Sequence, residues 1–412
     1  MRFLFPVILI IIFFLIDLYL YQAVKLVISN YSVRTKKIIK WFFWAIPMYS
    51  ITSFLLFVFA RESVSSYFFI AAFLLYISKM ISLIVLLLED ITRFIKLIYR
   101  RIKKQLSPKL ASMSEDENKI SRSKFISQTA LAIGGLHVGA LAWGVTTGAH
   151  DYRIIRVTLP LKNLPTSFDG MTLAQISDIH SGSFYNKIAV QGGVDMLMAE
   201  KPDMVFFTGD LVNNRTDEVK DYIEVFKKIK APLGVFSSTG NHDYGDYAKW
   251  ESEAEKKRNF ENFKKVHHQL GWDLLQDQHR RIKIGNEEIG VLGIQNWGLG
   301  FAQYGNLKKT LKDTDDLPVK LLLSHDPSHW REQVLYHTNI DAAFSGHTHG
   351  FQYGIKWGDF KLSPAQLRYK EWSGLYTENE QHLYVNTGFG YLGYPGRLGF
   401  LPEITIFELK KV

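Results

Sequence analysis

The 412-residue sequence contains no cysteine. This absence excludes disulfide scaffolds, iron–sulfur clusters, zinc fingers and thiol nucleophiles, because each of them needs cysteine side chains. Charged residues make up 22% of the chain and hydrophobic residues 47%, a balance that excludes an intrinsically disordered protein. At roughly 100–200 residues per domain, the chain is long enough for two or three folded units.

Acidic residues are scarce in the first third of the chain. Residues 1–150 carry 18 Lys and Arg against 7 Asp and Glu, a net charge of +11, whereas residues 151–412 carry 31 against 33, a net charge of −2. A basic protein often binds nucleic acid, but here the positive excess lies beside long apolar segments. Membrane topology explains it better, so we predict a lipid bilayer as partner and no nucleic acid.

Four apolar segments are long enough to cross a bilayer, which takes about 20 residues. We predict that residues 1–150 form a membrane anchor with spanning helices at residues 3–27, 41–60, 67–88 and 125–147. For the fourth segment, a buried helix of a soluble domain is the alternative. Asp17 and Lys79 lie inside two spans, either as an intramembrane ion pair or site, or as polar contacts between packed helices.

The positions of Lys and Arg predict how this anchor is oriented. Short basic loops stay in the cytoplasm, and residues 89–124 contain ten Lys and Arg, so we predict a basic cytoplasmic loop there. With four spans in the cell (inner) membrane, the chain after residue 150 lies on the extracytoplasmic side, which is our prediction. With three spans it lies in the cytoplasm.

Residues 151–412 alternate between short apolar runs and amphipathic charged stretches, which predicts an α/β domain. The predicted strands are Leu173–Ser177, Met204–Thr208, Val235–Ser238, Ile289–Ile294, Val319–Leu323, Ala342–Phe344, Leu383–Asn386 and Ile404–Leu409. The predicted helices are Lys187–Glu200, Asp217–Lys230, Tyr247–Leu270 and His329–His337. In such sheets, ligands bind beyond the carboxyl ends of the strands.

Five of these strand ends carry Asp, His or Asn. The motifs are Asp178-Ile179-His180, Gly209-Asp210, Gly240-Asn241-His242-Asp243, Ser324-His325 and Gly346-His347-Thr348-His349. Carboxylate, amide and imidazole groups suit divalent ions such as Mn²⁺, Fe²⁺ and Zn²⁺. Seven such groups exceed the four ligands of one tetrahedral ion, and they fit two ions that share a carboxylate.

In this order, the motifs resemble the pattern D-x-H, G-D, G-N-H-[DE], H and G-H-x-H of the calcineurin-like metallophosphoesterase family, in its membrane-anchored bacterial type. The resemblance covers nearly all of residues 151–412, with looser matches at Asn386-Thr387-Gly388 and from Arg397 to Ile404. It implies a metal-dependent phosphoric ester hydrolase. It also implies a four-layer α/β/β/α sandwich of the metallo-dependent phosphatase type, here preceded by a bundle of transmembrane helices.

The resemblance implies a role for each motif residue. One ion would be held by Asp178, His180 and His349, the other by Asn241, His325 and His347, with Asp210 bridging the two. His242 would act as general acid on the leaving oxygen, and Asp243 would orient His242 or a metal ligand. The nucleophile would be a hydroxide held between two divalent ions, with Mn²⁺ expected and Fe²⁺ or Zn²⁺ as alternatives.

The substrate is predicted only as a class: a phosphomonoester, phosphodiester or pyrophosphate, lipid-linked or envelope-linked because the anchor keeps the site near a membrane. Residues 351–400 are rich in aromatic side chains. These side chains either form a lip that grips the acyl chain or sugar–nucleotide of a substrate, or they pack as in any folded domain. Arg397 either pairs with a substrate phosphate through both of its terminal nitrogens or has a structural role.

Two other functions stay open. A pyrophosphate hydrolase of the UDP-diacylglucosamine type would place its active site at the cytoplasmic face and would therefore have three spans. A non-catalytic metal-binding membrane sensor is the second alternative. Loss of turnover would be expected to damage Asp210 or His242, and both residues are present.

A compartment-specific reporter fused after residue 150 tests the fourth span. We expect it to report the extracytoplasmic side, because four spans return the chain to the side on which it started. A control fusion within residues 89–124 should report the cytoplasm. A cytoplasmic signal from both fusions would leave only three spans and would favour the UDP-diacylglucosamine alternative.

Overall fold

Four long helices begin the chain in the computed structural model, which describes residues 4–59, 63–106 and 119–412. They are α1 (Leu4–Val27), α2 (Val33–Phe59), α3 (Ser63–Leu106) and α4 (Lys119–Thr146). Each contains a stretch long and apolar enough to cross a membrane. Large apolar side chains such as Trp41, Leu88 and Leu136 are exposed on these helices, as is typical of surfaces that face lipid tails.

The helix α3 is longer than predicted. At 1.5 Å per residue, its 44 residues extend for about 66 Å, roughly twice the hydrocarbon thickness of a bilayer. Residues 89–106 of the predicted basic loop are therefore helical, and Glu89 pairs with Arg93 one turn later at 2.9 Å. The rest of that loop up to residue 118, including Lys109, lies outside the described residues, as do the predicted span ends at 3 and 60.

Buried polar contacts join the helices of the first unit, Met1–Ala142. The carboxylate of Asp17 accepts hydrogen bonds from Lys79 Nζ at 2.5 Å and from the Tyr76 hydroxyl at 2.6 Å. Ser78 Oγ and His137 Nδ1 lie 2.8 Å apart. Of the interpretations left open above, an ion pair between packed helices is therefore the one that the structure contains. Pairing offsets the high cost of a charge at membrane depth.

Two six-stranded mixed sheets form the centre of the second unit, Trp143–Val412. The first sheet has the order β1 (Arg153–Leu161), β14 (Glu403–Lys411), β2 (Thr172–Ile176), β3 (Met204–Thr208), β4 (Val235–Ser238) and β5 (Asp273–Leu274). The second has the order β12 (Gly374–Glu378), β13 (Gln381–Val385), β9 (Ala342–Ser345), β8 (Lys320–Leu323), β7 (Glu287–Gly293) and β6 (Gln278–Ile284). A separate antiparallel hairpin contains β10 (Ile355–Trp357) and β11 (Phe360–Leu362).

Side chains alternate between two cores along the central strands. On β3, Met204 and Phe206 point into the core between the sheets, whereas Val205 and Phe207 pack under the helices α5 (Lys187–Ala199) and α7 (Glu253–Leu270). This alternation explains the continuous apolar run, since both faces of the strand are covered. A third core lies outside the second sheet, under α8 (Leu307–Leu311) and a π-helical turn at Trp330–Val334. The predicted α/β/β/α layers are confirmed.

All eight predicted strands are present, and their ends differ by at most two residues from the prediction. The predicted helix at 217–230 is wrong in type, because it is a 3-10 helix (Thr216–Tyr222) followed by the short α6 (Ile223–Phe226). The helix predicted from residue 247 begins only at Glu253, where the Ser252 side chain caps it. The strands β1, β5, β6, β10, β11 and β12 were not predicted.

The core between the sheets should dominate the stability of the second unit. Phe206 is fully buried and contacts Phe236 and Phe344 edge-on. We expect Phe206→Ala to lower the free energy of unfolding by about 3–5 kcal/mol, because it leaves a cavity. The exposed Ile188 is the control, and Ile188→Ala should change the free energy of unfolding by less than about 0.5 kcal/mol. Denaturant unfolding of the detergent-solubilised protein measures both; equal effects would contradict the layer assignment.

Candidate metal centre

The predicted ligands lie where parallel strands of the two sheets end. The strands β2, β3 and β4 are parallel in one sheet, and β7, β8 and β9 are parallel in the other. Backbone hydrogen bonds join the loops that follow: His180 N donates to Asp210 O at 3.0 Å, and Gly346 N donates to His325 O at 2.9 Å. The fold thereby collects all five motifs at one edge.

The backbone at these strand ends is strained. Five predicted ligands have left-handed φ angles: Asp178 (52°), His180 (48°), Asp210 (60°), His347 (69°) and His349 (52°). Such a conformation costs a non-glycine residue about 1–3 kcal/mol, and it persists where the surroundings enforce it, often at functional sites. Gly346 relieves crowding here, because a Cβ atom at this position would overlap Asp178 Oδ2.

Two groups of three side chains could each hold a metal ion: Asp178, His180 and His349 form the first, and Asp210, His325 and His347 the second. In the first group, His349 Nε2 lies 3.0 Å from His180 Nε2 and 3.2 Å from Asp178 Oδ1. In the second, His325 Nε2 lies 3.2 Å from His347 Nδ1. About 3 Å is the spacing expected between neighbouring ligands of one ion.

Asp210 connects the two groups. Its Oδ2 atom lies 3.1 Å from His325 Nε2 and 3.5 Å from His180 Nε2, so a single carboxylate oxygen reaches both groups. Its Oδ1 atom accepts a hydrogen bond from the backbone N–H of His242 at 2.9 Å. This arrangement suits a carboxylate shared by two ions.

Asn241 carries an orphaned acceptor beside these groups. Its Nδ2 donates to the Tyr247 hydroxyl at 2.9 Å, whereas its buried Oδ1 has no hydrogen-bond partner among the described residues. A buried acceptor without a partner is costly, and a bound cation would satisfy it. The donor set of carboxylates, imidazoles and an amide oxygen therefore fits two divalent ions.

His242 and Asp243 occupy different places in this site. The Asp243 carboxylate accepts hydrogen bonds from the backbone N–H groups of Asp210 (3.0 Å), Leu211 (2.9 Å) and Gly240 (2.8 Å). Of the two predicted roles, this contact favours positioning of Asp210. The His242 ring lies 5.0 Å from that of His180, and its Nδ1 is 2.7 Å from the Asn213 carbonyl, to which it donates.

The site concentrates titratable groups that are buried. Burial and the neighbouring Asp210 raise the pKa of Asp243 to about 8. Burial opposes a charge on His325, but the nearby Asp210 outweighs it and raises the pKa of His325 to about 10. Burial likewise opposes ionisation of Asp178, yet the His349 ring lowers the pKa of that carboxyl well below its usual range. A cation bound here would have to compete with the proton on His325, so metal binding should weaken as the pH falls.

Two residues that contact His347, Asp326 and Tyr369, were not identified from sequence. His347 Nε2 lies 2.7 Å from the Tyr369 hydroxyl and 3.5 Å from Asp326 Oδ2, contacts that leave Nδ1 facing His325. Such partners fix which ring nitrogen is available to a metal. Asp326 directly follows the predicted ligand His325, and Tyr369 belongs to the aromatic segment, but neither position alone indicated this contact.

Of the two roles left open for Arg397, the contacts of its side chain favour the structural one. Its side chain is fully buried and donates to the carbonyl of Gly390 at 2.6 and 2.8 Å, to that of Phe400 at 3.1 Å, and to His349 Nδ1 at 3.2 Å. Burial lowers its pKa to about 10. These internal hydrogen bonds satisfy the guanidinium within the protein, which supports a structural role.

Two family models match this chain. Residues 1–149 match the "Probable Calcineurin-like phosphoesterase, transmembrane domain", and residues 171–351 match the "Calcineurin-like phosphoesterase". The chain is 29% identical over 315 residues to a transmembrane protein with metallophosphoesterase domain from Danio rerio, covering 74% of this chain and 67% of that protein. It is 28% identical over 301 residues to the uncharacterized metallophosphoesterase YkuE of Bacillus subtilis (strain 168), covering 71% and 98%.

A third relative has a more specific name. The UDP-2,3-diacylglucosamine pyrophosphatase LpxG of Chlamydia trachomatis is 27% identical to this chain over 295 residues, which cover 58% of this chain and 84% of that protein. Together, these similarities identify a metallophosphoesterase domain that follows a transmembrane domain.

Arg397→Lys tests the positioning role of the guanidinium. We expect a roughly 10–100-fold loss of metal affinity, because a lysine cannot make the same set of hydrogen bonds around His349. Metal content at controlled free-metal concentrations, measured by mass spectrometry, gives the affinity. Arg156→Lys, at an arginine whose side chain is 66% exposed, is the matched control and should leave it unchanged. Unaltered metal binding in both variants would contradict this role.

Proposed function

Since the chain belongs to the calcineurin-like phosphoesterase family, with a transmembrane domain before the hydrolase domain, we propose that it is a membrane-bound hydrolase of phosphoric esters or anhydrides that uses two divalent ions. The observation that carries this proposal is the position of Asp210. Its Oδ2 atom is 3.1 Å from an imidazole of one group and 3.5 Å from an imidazole of the other. A carboxylate in this position is what a two-ion centre requires.

In this proposal, Asp178, His180 and His349 would hold one ion, Asn241, His325 and His347 would hold the other, and Asp210 would contribute to both. When bound, the two ions would supply an activated nucleophile at neutral pH and neutralise charge on the phosphoryl oxygens. The mixed oxygen and nitrogen donors suit Mn²⁺, with Fe²⁺ or Zn²⁺ as alternatives.

His242 is the proposed general acid. The hydrogen bond from its Nδ1 to the Asn213 carbonyl fixes the ring and leaves Nε2 as the nitrogen that can deliver a proton. The edge-on contact with the His180 ring, with centroids 5.0 Å apart, keeps this imidazole beside the first group of ligands. A leaving oxygen bound there would be within reach of the proton.

We further propose that the protein resides in the cell (inner) membrane with the active site on the extracytoplasmic side, as the positions of Lys and Arg predict. The match of residues 1–149 to a transmembrane domain supports the membrane location. A site tethered to a bilayer favours a phosphorylated lipid or another envelope-linked phosphoester as substrate.

A second candidate function is hydrolysis of a lipid-linked pyrophosphate. The observation that favours it is the 27% identity to the UDP-2,3-diacylglucosamine pyrophosphatase LpxG. In this case the bond cleaved is a phosphoanhydride, and the same two groups of ligands would serve. A non-catalytic sensor is disfavoured because His242 and all seven proposed ligands are present.

Asp210→Asn and His242→Ala test the reaction. We expect each variant to lose about 10²–10⁴-fold in hydrolysis of an aryl phosphodiester or monoester, since one weakens the shared ligand and the other removes the proton donor. The exposed pair Asp217→Asn and His268→Ala provides matched controls that should keep full activity. A chelator should abolish wild-type hydrolysis, and Mn²⁺ should restore it.

Unchanged turnover in both Asp210→Asn and His242→Ala would overturn the proposed chemistry. Wild-type protein that binds two ions per chain and hydrolyses neither ester would instead support the sensor.

A further inference from the structure

The hairpin of β10 and β11 has an apolar face that nothing in the described structure covers. Ile355 pairs with Leu362, and Trp357 pairs with Phe360. Because side chains alternate along a strand, these four lie on one face and the pair Lys356 and Lys361 on the other. All four apolar side chains are exposed, and Trp357 is 84% exposed.

Two further exposed apolar side chains flank the hairpin in sequence. Phe351 lies just before the hairpin and is exposed, and Leu367 lies just after it and is 88% exposed. We refer to residues 351–370 as the hairpin surface. A cluster of large exposed apolar side chains marks an interaction surface, since single exposed residues are common but contiguous ones are not.

The charge of the hairpin surface is opposite in sign to that of its domain. It carries Lys356, Lys361, Arg368 and Lys370 against the single acidic residue Asp359, a net charge of +3. Residues 151–412 as a whole have a net charge of −2. Tryptophan and phenylalanine flanked by lysine are typical of segments that lie in the interface of a bilayer with anionic lipids.

The residues at the base of the hairpin are hydrogen-bonded to Leu398, and the neighbouring Arg397 is hydrogen-bonded to the end of α4. Gly354 N donates to Leu398 O at 2.9 Å, and Leu398 N donates to Gln352 O at 2.8 Å. One residue earlier, Arg397 N donates to Gly144 O at 3.1 Å. Gly144 belongs to the last turn of α4, within the second unit. The apolar segment Ser123–His150, which is long enough to span a membrane, includes Gly144, so a bilayer crossed by this segment would lie near this hydrogen bond along the chain.

Both ends of the hairpin surface adjoin the metal centre. Phe351 follows His349 by two residues, and near the other end the Tyr369 hydroxyl lies 2.7 Å from His347 Nε2. We propose that the hairpin surface docks onto the bilayer, with Trp357, Phe360 and Leu367 in the interfacial layer, and thereby holds the metal centre at the level of the lipid headgroups. Docking of this kind would let the metal centre take a lipid phosphoester from the plane of the membrane. This consequence for the substrate rests on the proposed function.

The absence of cysteine allows a direct test on the full-length chain. Trp357→Cys and, separately, Leu367→Cys each create a single site for a fluorophore in protein reconstituted into vesicles of phosphatidylcholine and phosphatidylglycerol. We expect lipids with a nitroxide near the headgroup to quench either probe at least threefold more than a probe at Lys283→Cys. Lys283 is the control because it lies on β6, at the edge of the second sheet opposite β12, with its side chain 70% exposed.

Acrylamide, which quenches from water, should show the reverse order. Probes at 357 and 367 that are quenched by acrylamide as strongly as the Lys283→Cys probe, and not by the lipids, would overturn the proposal. Protection from acrylamide without quenching by lipid would overturn it as well, because it would indicate a second copy of the chain or another protein on this surface.

A separate measurement tests whether the substrate is taken from the membrane. The double variant Trp357→Ser and Leu367→Ser should keep hydrolysis of a water-soluble aryl phosphodiester within twofold and lose about tenfold toward phosphatidic acid in vesicles. Equal rates toward phosphatidic acid in variant and wild type would contradict delivery from the membrane. If wild-type protein cleaves neither substrate, the proposed function fails, and the quenching result still decides whether the hairpin surface docks.

Discussion

Charge burial is the constraint on which the second unit depends. Two carboxylates and four imidazoles meet at the edge of two sheets, with Asp210 in contact with both groups. Buried ionisable groups are tolerated only when they are paired, neutralised by a shift in pKa, or bound to metal. The closeness of these titratable groups shifts their pKa values: the pKa of Asp243 is raised, and that of Asp178 is lowered. A centre arranged in this way is suited to hold cations.

The surrounding fold keeps this arrangement in place. Strained left-handed residues at the strand ends carry the ligands, and two buried polar side chains, Asp243 and Arg397, hold these ligands in place. Asp243 binds the loop that carries Asp210, and Arg397 binds the backbone and ring of His349. Each support is itself buried, so its removal would leave unsatisfied polar groups as well as a displaced ligand.

Charge and apolar surface are distributed differently in the two units of the chain. The first unit contains the helices that can span a bilayer, with a buried ion pair between Asp17 and Lys79. The second unit is slightly acidic overall, yet its hairpin surface is basic and apolar, next to the proposed metal ligands. This distribution is what the proposed docking of the hairpin surface onto a bilayer requires.

Much of this protein could be predicted from sequence because the relevant signals are local. Apolar length indicated the four long helices, period-two or continuous apolar runs located the eight main strands, and polar residues at their ends indicated the site. The weaker strands were missed since short or exposed segments such as β5 and β10 have little apolar patterning.

Tertiary structure alone decided the contacts between distant segments. Arg397 lies 48 residues from His349 in sequence, yet its buried side chain donates to both the ring and the backbone carbonyl of His349. The same holds for Tyr369 beside His347 and for the uncovered face of the hairpin. Sequence determined which groups are present and which elements carry them. Which groups meet, and which remain exposed, depends on long-range packing that no local pattern encodes.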